Sequence, residues 1–335
     1  MNFTIRKWIL RFPSLILIRG WMKRVRFKRY HNLSLYRFIK IFISNIAKDD
    51  LINRANGVAY NFILAIFPAV IFLFTLTPYI ARYFPEVNRN SIMEFMGEML
   101  PPSMYEVISS TVFDIISNQR GGLLTFGFLF ALYLSTNGMM ALMRAFNACY
   151  QTVERRGAIR MRITATGLTF MLAIVVILAV ALLVVGQLAI DYVTANLSEF
   201  SNFDFDDYTI YMLLALRFLV IFIVFFLAIS FVYYFGPAVH YNWSFFSIGS
   251  FISTLGTLGI SYLFSYYITN FGTYNKVYGS IGVLIALMIW VQLITVVLLY
   301  GYEINASLHR GIKLEAIEMH KRQMRLANQV GQEPE

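Results

Sequence analysis

Charged residues and cysteines are scarce in this sequence. Asp, Glu, Lys and Arg make up 14% of the 335 residues and hydrophobic residues 58%, whereas a soluble globular protein is about 25% charged. This composition is typical of a polytopic membrane protein. The single cysteine, Cys149, excludes an internal disulfide framework and a zinc site built from cysteines.

Histidines are also few, and the four that are present lie far apart in the sequence. His31, His240, His309 and His320 show no spacing of the HxH or HExxH kind. A metal-dependent hydrolase or nuclease needs clustered ligands to hold the ions that activate water. P-loop, glycine-rich phosphate-binding and Ser-His-Asp signatures are absent as well. The sequence therefore predicts a protein that is not an enzyme and that uses no metal or other cofactor.

Six apolar runs are long enough to cross a bilayer, which takes about 20 residues in a helix. They cover residues 56–80, 122–143, 163–190, 210–235, 244–270 and 279–301. The runs are continuously apolar rather than alternating, which excludes a membrane barrel. The predicted fold class is an all-α polytopic membrane protein with six transmembrane helices.

Small residues recur every four positions in the fifth run, at Gly249, Ser253, Thr257 and Ser261. This spacing places them along one ridge of the helix, and small ridges allow helix backbones to approach closely in lipid. The pattern predicts that the fifth helix is packed inside the bundle.

The placement of Lys and Arg predicts that both termini are cytoplasmic, because basic residues accumulate on that side. With the termini inside, the inner segments hold 23 basic residues and the outer segments 4. The predicted organisation is a basic amphipathic cytoplasmic segment (1–54), a membrane domain (55–308) with short helices in its outer loop (81–121), and a cytoplasmic tail (309–335).

The basic N-terminal segment mixes aromatic and cationic residues. Residues 3–18 and 33–47 have the pattern of amphipathic interfacial helices on an anionic leaflet. The run "MKRVRFKRY" (22–30) is interpreted as attraction to lipid headgroups rather than to nucleic acid. Anionic membrane lipids are therefore the predicted partners, and a protein partner for these helices stays open.

A few polar or helix-breaking residues fall within the apolar runs. Such residues tend to face the interior of a helix bundle, and they are candidates for lining a cavity: Asn61, Pro68, Asn137, Arg217 and Gln292. Each amide can equally form a hydrogen bond between helices. Arg217 can extend outwards to Asp204, Asp206 or Asp207, or it can hold an anionic substrate.

A second polar group is predicted at the cytoplasmic mouth, where the second and sixth helices end. It comprises Arg144, Asn147, Glu303 and Asn305. We expect Arg144 and Glu303 to form an ion pair, or to share a network with the two asparagines. Three interpretations stay open: a structural latch, a gate that a substrate opens, and independent solvated flanks.

Four stretches together resemble the YihY/virulence factor BrkB family. They are "GVAYNFILAIFPAVIFL" (57–73), "STNGMMALMRAFNACYQTVERRG" (135–157), "GPAVHYNWSFFSIGS" (236–250) and "YGSIGVLIALMIWVQLITVVLLYGYEINA" (278–306). Arg144, Asn147, Glu303 and Asn305 are motif positions, and Tyr302 departs from the family's usual Ala. The resemblance implies a six-helix bacterial inner-membrane protein. It also carries an old ribonuclease BN label, which the isolated histidines do not support.

Family members have been linked to serum resistance, to envelope lipid export and to ion tolerance, so the resemblance implies no settled activity. The leading hypothesis is a transporter or flippase-like protein for an amphipathic, lipid-linked or anionic substrate. The alternative is a non-transporting scaffold or envelope-assembly partner, and ion or osmolyte permeation is third. Substrate, coupling ion, direction and oligomeric state stay open.

Overall fold

The computed structural model describes most of the chain. It covers residues 13–27, 32–48, 50–80, 102–195, 207–238, 244–270 and 281–330, together with positions 90, 92–94 and 97. The first part of the predicted helix 3–18 and much of the predicted outer loop lie outside these ranges, as do His31, His240, Asp204 and Asp206.

The described chain is helical apart from one two-stranded hairpin. In chain order its elements are α1 (Pro13–Arg24), β1 (Arg26–Phe27), β2 (Leu33–Ser34), α2 (Leu35–Lys48), α3 (Leu51–Ile80), α4 (Pro102–Ser117), α5 (Gly121–Cys149), α6 (Ala158–Ala195), α7 (Asp207–Phe235), α8 (Ile248–Asn270) and α9 (Ile281–Val330).

Among the described residues, six helices are long and apolar enough to cross a membrane: α3, α5, α6, α7, α8 and α9. They coincide with the six predicted runs, so this part of the fold class is confirmed. The last helix is longer than its predicted apolar run, because α9 continues without a break through Val330 and so includes most of the predicted tail. Its 50 residues span about 75 Å, well beyond a hydrocarbon core of about 30 Å.

Each spanning helix packs against the next one in sequence, and α9 closes the ring by packing against α3 and α5. The turn after α5 meets the turn after α7, since Arg156 donates to the Gly236 carbonyl at 2.8 Å. We call the end of the bundle that carries residues 144–162 and 302–313 the basic end, and the other end the far end. Which end faces the cytoplasm stays a prediction.

The N-terminal elements pack on the part of α9 that extends past the bundle. Residues 26–27 pair with 33–34 in an antiparallel hairpin, and α2 then lies against α9. Leu33 is fully buried and lies so near Gly311 that a Cβ there would meet it at 2.7 Å. Part of the surface predicted to rest on lipid is therefore covered by protein, while membrane contact of the remainder stays a prediction.

The described part of the predicted outer loop contains one long helix. Helix α4 begins at Pro102, a position that suits proline because the first helical N–H has no partner within the helix. Its buried Val112 and Ile116 pack with Phe74 of α3. This helix covers the far end of α3.

The ridge of small residues on α8 packs against α9. A Cβ at Gly249 would meet the Gly301 carbonyl oxygen and Asn305, and Ser253 is fully buried. The opposite face of α8 is exposed, at Phe251, Ile252 and Leu255. The ridge is thus a close-packing surface as predicted, but α8 is not enclosed by the bundle.

Candidate functional site

Asn305 caps the start of α8 from a different helix. Its Oδ1 accepts from the Gly249 N–H at 2.9 Å and its Nδ2 donates to Ser247 Oγ at 2.8 Å. Ser247 and Ser250 also bond reciprocally through their hydroxyls and backbone N–H groups, as in a capping box. The first N–H groups of a helix need such partners, so Asn305 joins α8 to α9 at the basic end.

Asn147 ties the end of α5 to both neighbouring turns. Its Nδ2 donates to Glu154 at 2.7 Å, and its Oδ1 accepts from the Ala238 N–H at 2.7 Å. Arg156 forms an ion pair with Glu154 at 2.8 Å, and this hydrogen-bonded guanidinium holds the pKa of Glu154 below its usual value despite partial burial. These bonds fix the turns at 150–157 and 236–238 to each other.

Glu303 is completely buried and binds the N-terminal helix α2. Its Oε1 accepts from Asn45 Nδ2 at 2.7 Å and from Ser307 Oγ at 2.9 Å. Asn45 is itself buried, and its Oδ1 accepts from Arg310 at 3.0 Å. Because a buried carboxylate is costly unless hydrogen-bonded, this pairing fixes α2 against α9.

The predicted ion pair between Arg144 and Glu303 is wrong. Arg144 is exposed, whereas its neighbours Met143, Ala145 and Phe146 are buried. Successive helical residues point about 100° apart, so Arg144 faces away from the core in which Glu303 lies. The four predicted mouth residues all lie at the basic end, but they belong to separate arrangements rather than one network.

The five residues predicted to line a cavity do not converge. Asn61 donates to the Gly57 carbonyl of its own helix, Asn137 accepts from Arg162 at 2.8 Å, and Gln292 donates to Asn56 at 2.9 Å. Each described amide therefore has a structural partner.

The other two members of that set are also placed by packing. Pro68 is buried inside α3, which continues through it. The Arg217 side chain runs along α6, where a Cβ at Gly186 would meet it at 3.6 Å. The proposed partners Asp204 and Asp206 lie outside the described residues.

Aromatic side chains close the basic end. Phe146 stacks on Tyr302 with ring centroids 4.3 Å apart, and Tyr233 meets both rings edge-on at 5.4 and 5.3 Å. Tyr302 is 1% exposed. The residue that departs from the family pattern is therefore a central packing element of α9.

Farther along the bundle, many apolar side chains are exposed. On α6, Ile174, Val176, Ile177 and Leu178 are all exposed, and Ile177 is 69% exposed. At about 100° per residue, these side chains cover about 200° of the helix surface, and the opposite face carries the buried Leu168 and Ala179. Leu216, Phe218 and Leu219 of α7, and Tyr262, Leu263 and Tyr266 of α8, are exposed in the same way.

Sequence reasoning missed a polar junction where α2, the end of α5 and α9 meet. Arg310 donates to Asn45 and to Gln151 at 3.0 and 3.2 Å, and it lines two adjacent cavities. The available signal was Asn45, an amide within the largely apolar face of an amphipathic segment.

Within the described ranges, no three His, Cys, Asp or Glu side chains are placed to hold a metal ion.

Six apolar helices with polar caps at one end define a polytopic membrane protein. The chain belongs to the Virulence factor BrkB family, which matches residues 42–326. The recognised resemblance is thereby confirmed.

Named relatives agree with this assignment. A ribonuclease-like protein of Bacillus subtilis, YfkH, is 32% identical over 83% of this chain and 97% of its own length. A UPF0761 membrane protein of Pseudoalteromonas atlantica is 25% identical over 86% and 88%, and one of Alteromonas mediterranea is 24% identical over 83% and 90%. No solved structure matches the chain.

Proposed function

We propose that this protein is a transporter or flippase-like protein of the bacterial inner membrane, with the basic end in the cytoplasm. Its substrate is an amphipathic, lipid-linked or anionic molecule needed for envelope homeostasis. The protein is not an enzyme in this proposal. Because the sequence has no ATP-binding motif, movement is passive, ion-coupled or driven by a partner.

The observation that carries the proposal is the contrast between the two ends. Phe146, Tyr233 and Tyr302 pack tightly at the basic end, while α6, α7 and α8 carry exposed apolar side chains farther along the bundle. Alternating access needs one part of a bundle to rearrange around a fixed part, and this contrast supports that division.

The chemistry of the surfaces supports an amphipathic substrate. The exposed far-end side chains are Ile, Leu, Val, Phe and Tyr, which favour an acyl or other apolar chain. Opposite them, the segment 144–162 carries five basic residues and one acid, which favours an anionic headgroup.

Reconstitution into vesicles tests transport directly. Phosphatidylglycerol and phosphatidylcholine with a fluorescent acyl chain are placed in proteoliposomes, and the fraction quenched by a membrane-impermeant reductant is followed with and without a proton gradient. We expect faster exposure of phosphatidylglycerol than in protein-free vesicles. If both lipids become exposed to the reductant at the rate seen in empty vesicles, with and without the proton gradient, the proposal is wrong.

One feature favours the scaffold as the second candidate. Helix α9 extends far past the bundle and exposes Ile317, Met319 and Met324, which is a surface that a partner protein can bind. Truncation after residue 316 separates the two functions, since transport in vesicles should survive it and a scaffold should lose its partner. Ion permeation is less favoured, because aromatic packing closes the described part of the basic end.

A further inference from the structure

Two cavities lie on either side of Arg310 at the junction of α2, α5 and α9. One has a volume of about 320 Å³ and is lined on its polar side by Gln151, Arg310 and Lys313. The other, of about 310 Å³, is lined by Lys40, Asn45 and Arg310 among others. Each lies at the lower end of the range for small-molecule sites, and Arg310 and Leu314 form the wall that they share.

Arg310 is held in place without being neutralised. Its two terminal nitrogens donate to the amide oxygens of Asn45 and Gln151, which orient the guanidinium but carry no charge. Within the described ranges, no carboxylate forms a salt bridge with it. A planar guanidinium fixed in this way is suited to bind phosphate oxygens with its remaining N–H groups.

Each cavity adds one lysine to the shared arginine. Lys40 and Lys313 are exposed, and neither forms a salt bridge with any residue that the structure describes. Arg37 also lines one cavity, but it pairs with Glu318 at 2.7 Å and Glu315 at 3.6 Å. Lys40, Arg310 and Lys313 are thus the described cations without a salt bridge here, and together with Arg37 they exceed Glu303, Glu315 and Glu318 by one formal charge.

The remaining walls are apolar. Ile41, Ala306, Leu314 and Ile317 line the cavities beside the cations, so the site is suited to an amphipathic anion rather than to a fully hydrated ion. Helix α9 rises about 39 Å from Leu284, where its apolar stretch begins, to Arg310. A hydrocarbon core is about 30 Å thick, so Arg310 lies at the level of lipid headgroups.

We propose that this junction binds phosphate-bearing anionic headgroups, held by Arg310 together with Lys40 in one cavity and with Lys313 in the other. It names the substrate class of the transporter proposed above and in that respect rests on it. Binding is measured without transport, so the two proposals can fail separately.

The test is titration of the full-length, detergent-solubilised protein with phosphatidylglycerol and phosphatidylcholine, read by native mass spectrometry. Wild type should bind phosphatidylglycerol more tightly. The double variant Lys40→Gln/Lys313→Gln removes one cation from each cavity and should weaken that binding roughly fivefold, given about 1 kcal/mol for a cation near an anionic surface. Both lysines are exposed, so the variant should retain the wild-type melting temperature.

The matched control is Arg155→Gln/Arg160→Gln, which removes the same charge from exposed positions of the basic end outside both cavities. This variant should bind phosphatidylglycerol as wild type does. An equal loss in both double variants would show general attraction to a basic surface and would overturn the proposal. Wild-type affinity in the lysine variant would overturn it too.

A third arm distinguishes the source of the phosphate. Inorganic phosphate and glycerol phosphate are added in large excess to the protein with bound phosphatidylglycerol. Displacement by either anion, lost in the lysine variant, supports the site with a soluble ligand. Retention of the lipid supports the site with a membrane ligand, in which the apolar walls contribute to binding.

Discussion

The two ends of the bundle are built from different residues. At the basic end, small and polar side chains lie between the helices, as where Gly249 meets Gly301 and Asn305 caps α8. Farther along the bundle, α6 and α7 present Ile, Val, Leu and Phe on one exposed face. The first set is packed between helices and the second is exposed.

The difference shows what holds helices together in lipid. Apolar side chains gain little by meeting each other there, because lipid tails are equally apolar, so close backbone approach and hydrogen bonds decide the packing. The basic end has both where α8 meets α9, while the exposed faces of α6 and α7 carry large apolar side chains. In the proposed function, the far end is the part of the molecule that opens and closes.

The largest effect should come from filling the close approach of α8 and α9. Gly301→Ala adds a Cβ that overlaps Ser253 Oγ and approaches the Gly249 carbonyl oxygen at 2.9 Å. Overpacking of this kind costs about 1–3 kcal/mol or more, although Ala is otherwise the better helix former. We expect low membrane abundance and a lower melting temperature in detergent.

Gly259→Ala is the matched control, on the same helix pair. A Cβ there meets nothing within 4 Å, so the substitution should be neutral or slightly stabilising, by up to about 1 kcal/mol. If both variants behave alike, close packing at the basic end does not decide stability.

The next largest effect concerns water access to the far end. In a Cys149→Ser background, single cysteines at 174 and 177 sample the exposed face of α6, and single cysteines at 175 and 179 sample the opposite face. An open far end in the membrane should let a membrane-impermeant maleimide added to cells label some of these positions but not those that face lipid. Leu299→Cys, at a fully buried position of α9, should stay unlabelled. No labelling at any of the four α6 positions would mean that the far end is closed in cells.

Much of this architecture could be predicted from local sequence. The six spans follow from uninterrupted apolar runs, and the ridge at Gly249 and Ser253 follows from four-residue spacing. Asn147 and Asn305 were identified as polar residues at helix ends, where backbone groups need partners. These features depend on the residues near each position.

The partners of those residues could not be predicted, because they come from distant segments. Asn45 and Glu303 are 258 positions apart, and nothing local to either indicates the other. Charge complementarity suggested Arg144 instead, but one helical step decides that Arg144 faces outwards while its neighbours are buried. Local sequence also does not indicate that α2 packs against α9, and the junction around Arg310 depends on that packing.

A loss of stability of similar size to that of Gly301→Ala should follow from removing the acceptor that holds α2. Glu303→Ala leaves the Asn45 amide and the Ser307 hydroxyl buried without their shared oxygen, at a cost of roughly 2–3 kcal/mol. Glu303→Gln retains an acceptor of the same shape and should lose less. Melting in detergent measures both variants.

Arg144→Glu alone should melt close to wild type. If Arg144→Glu restored the melting temperature lost in Glu303→Arg, the two residues would form an ion pair and the structural account of Glu303 would be wrong.

The smallest effect should be the pH dependence at the turn between α5 and α6. Arg156 holds the pKa of Glu154 in the folded protein below its usual value. A carboxyl whose folded pKa is lowered contributes stability above its unfolded pKa and loses it as the pH falls through the folded pKa. Because the pair is partly exposed to solvent, its contribution should be below about 1 kcal/mol.

The melting temperature of wild type should exceed that of Glu154→Gln near neutral pH, and the gap should shrink below pH 4.5. A gap that stays constant with pH would mean that the ion pair contributes nothing and that the Asn147 bond alone holds the turn.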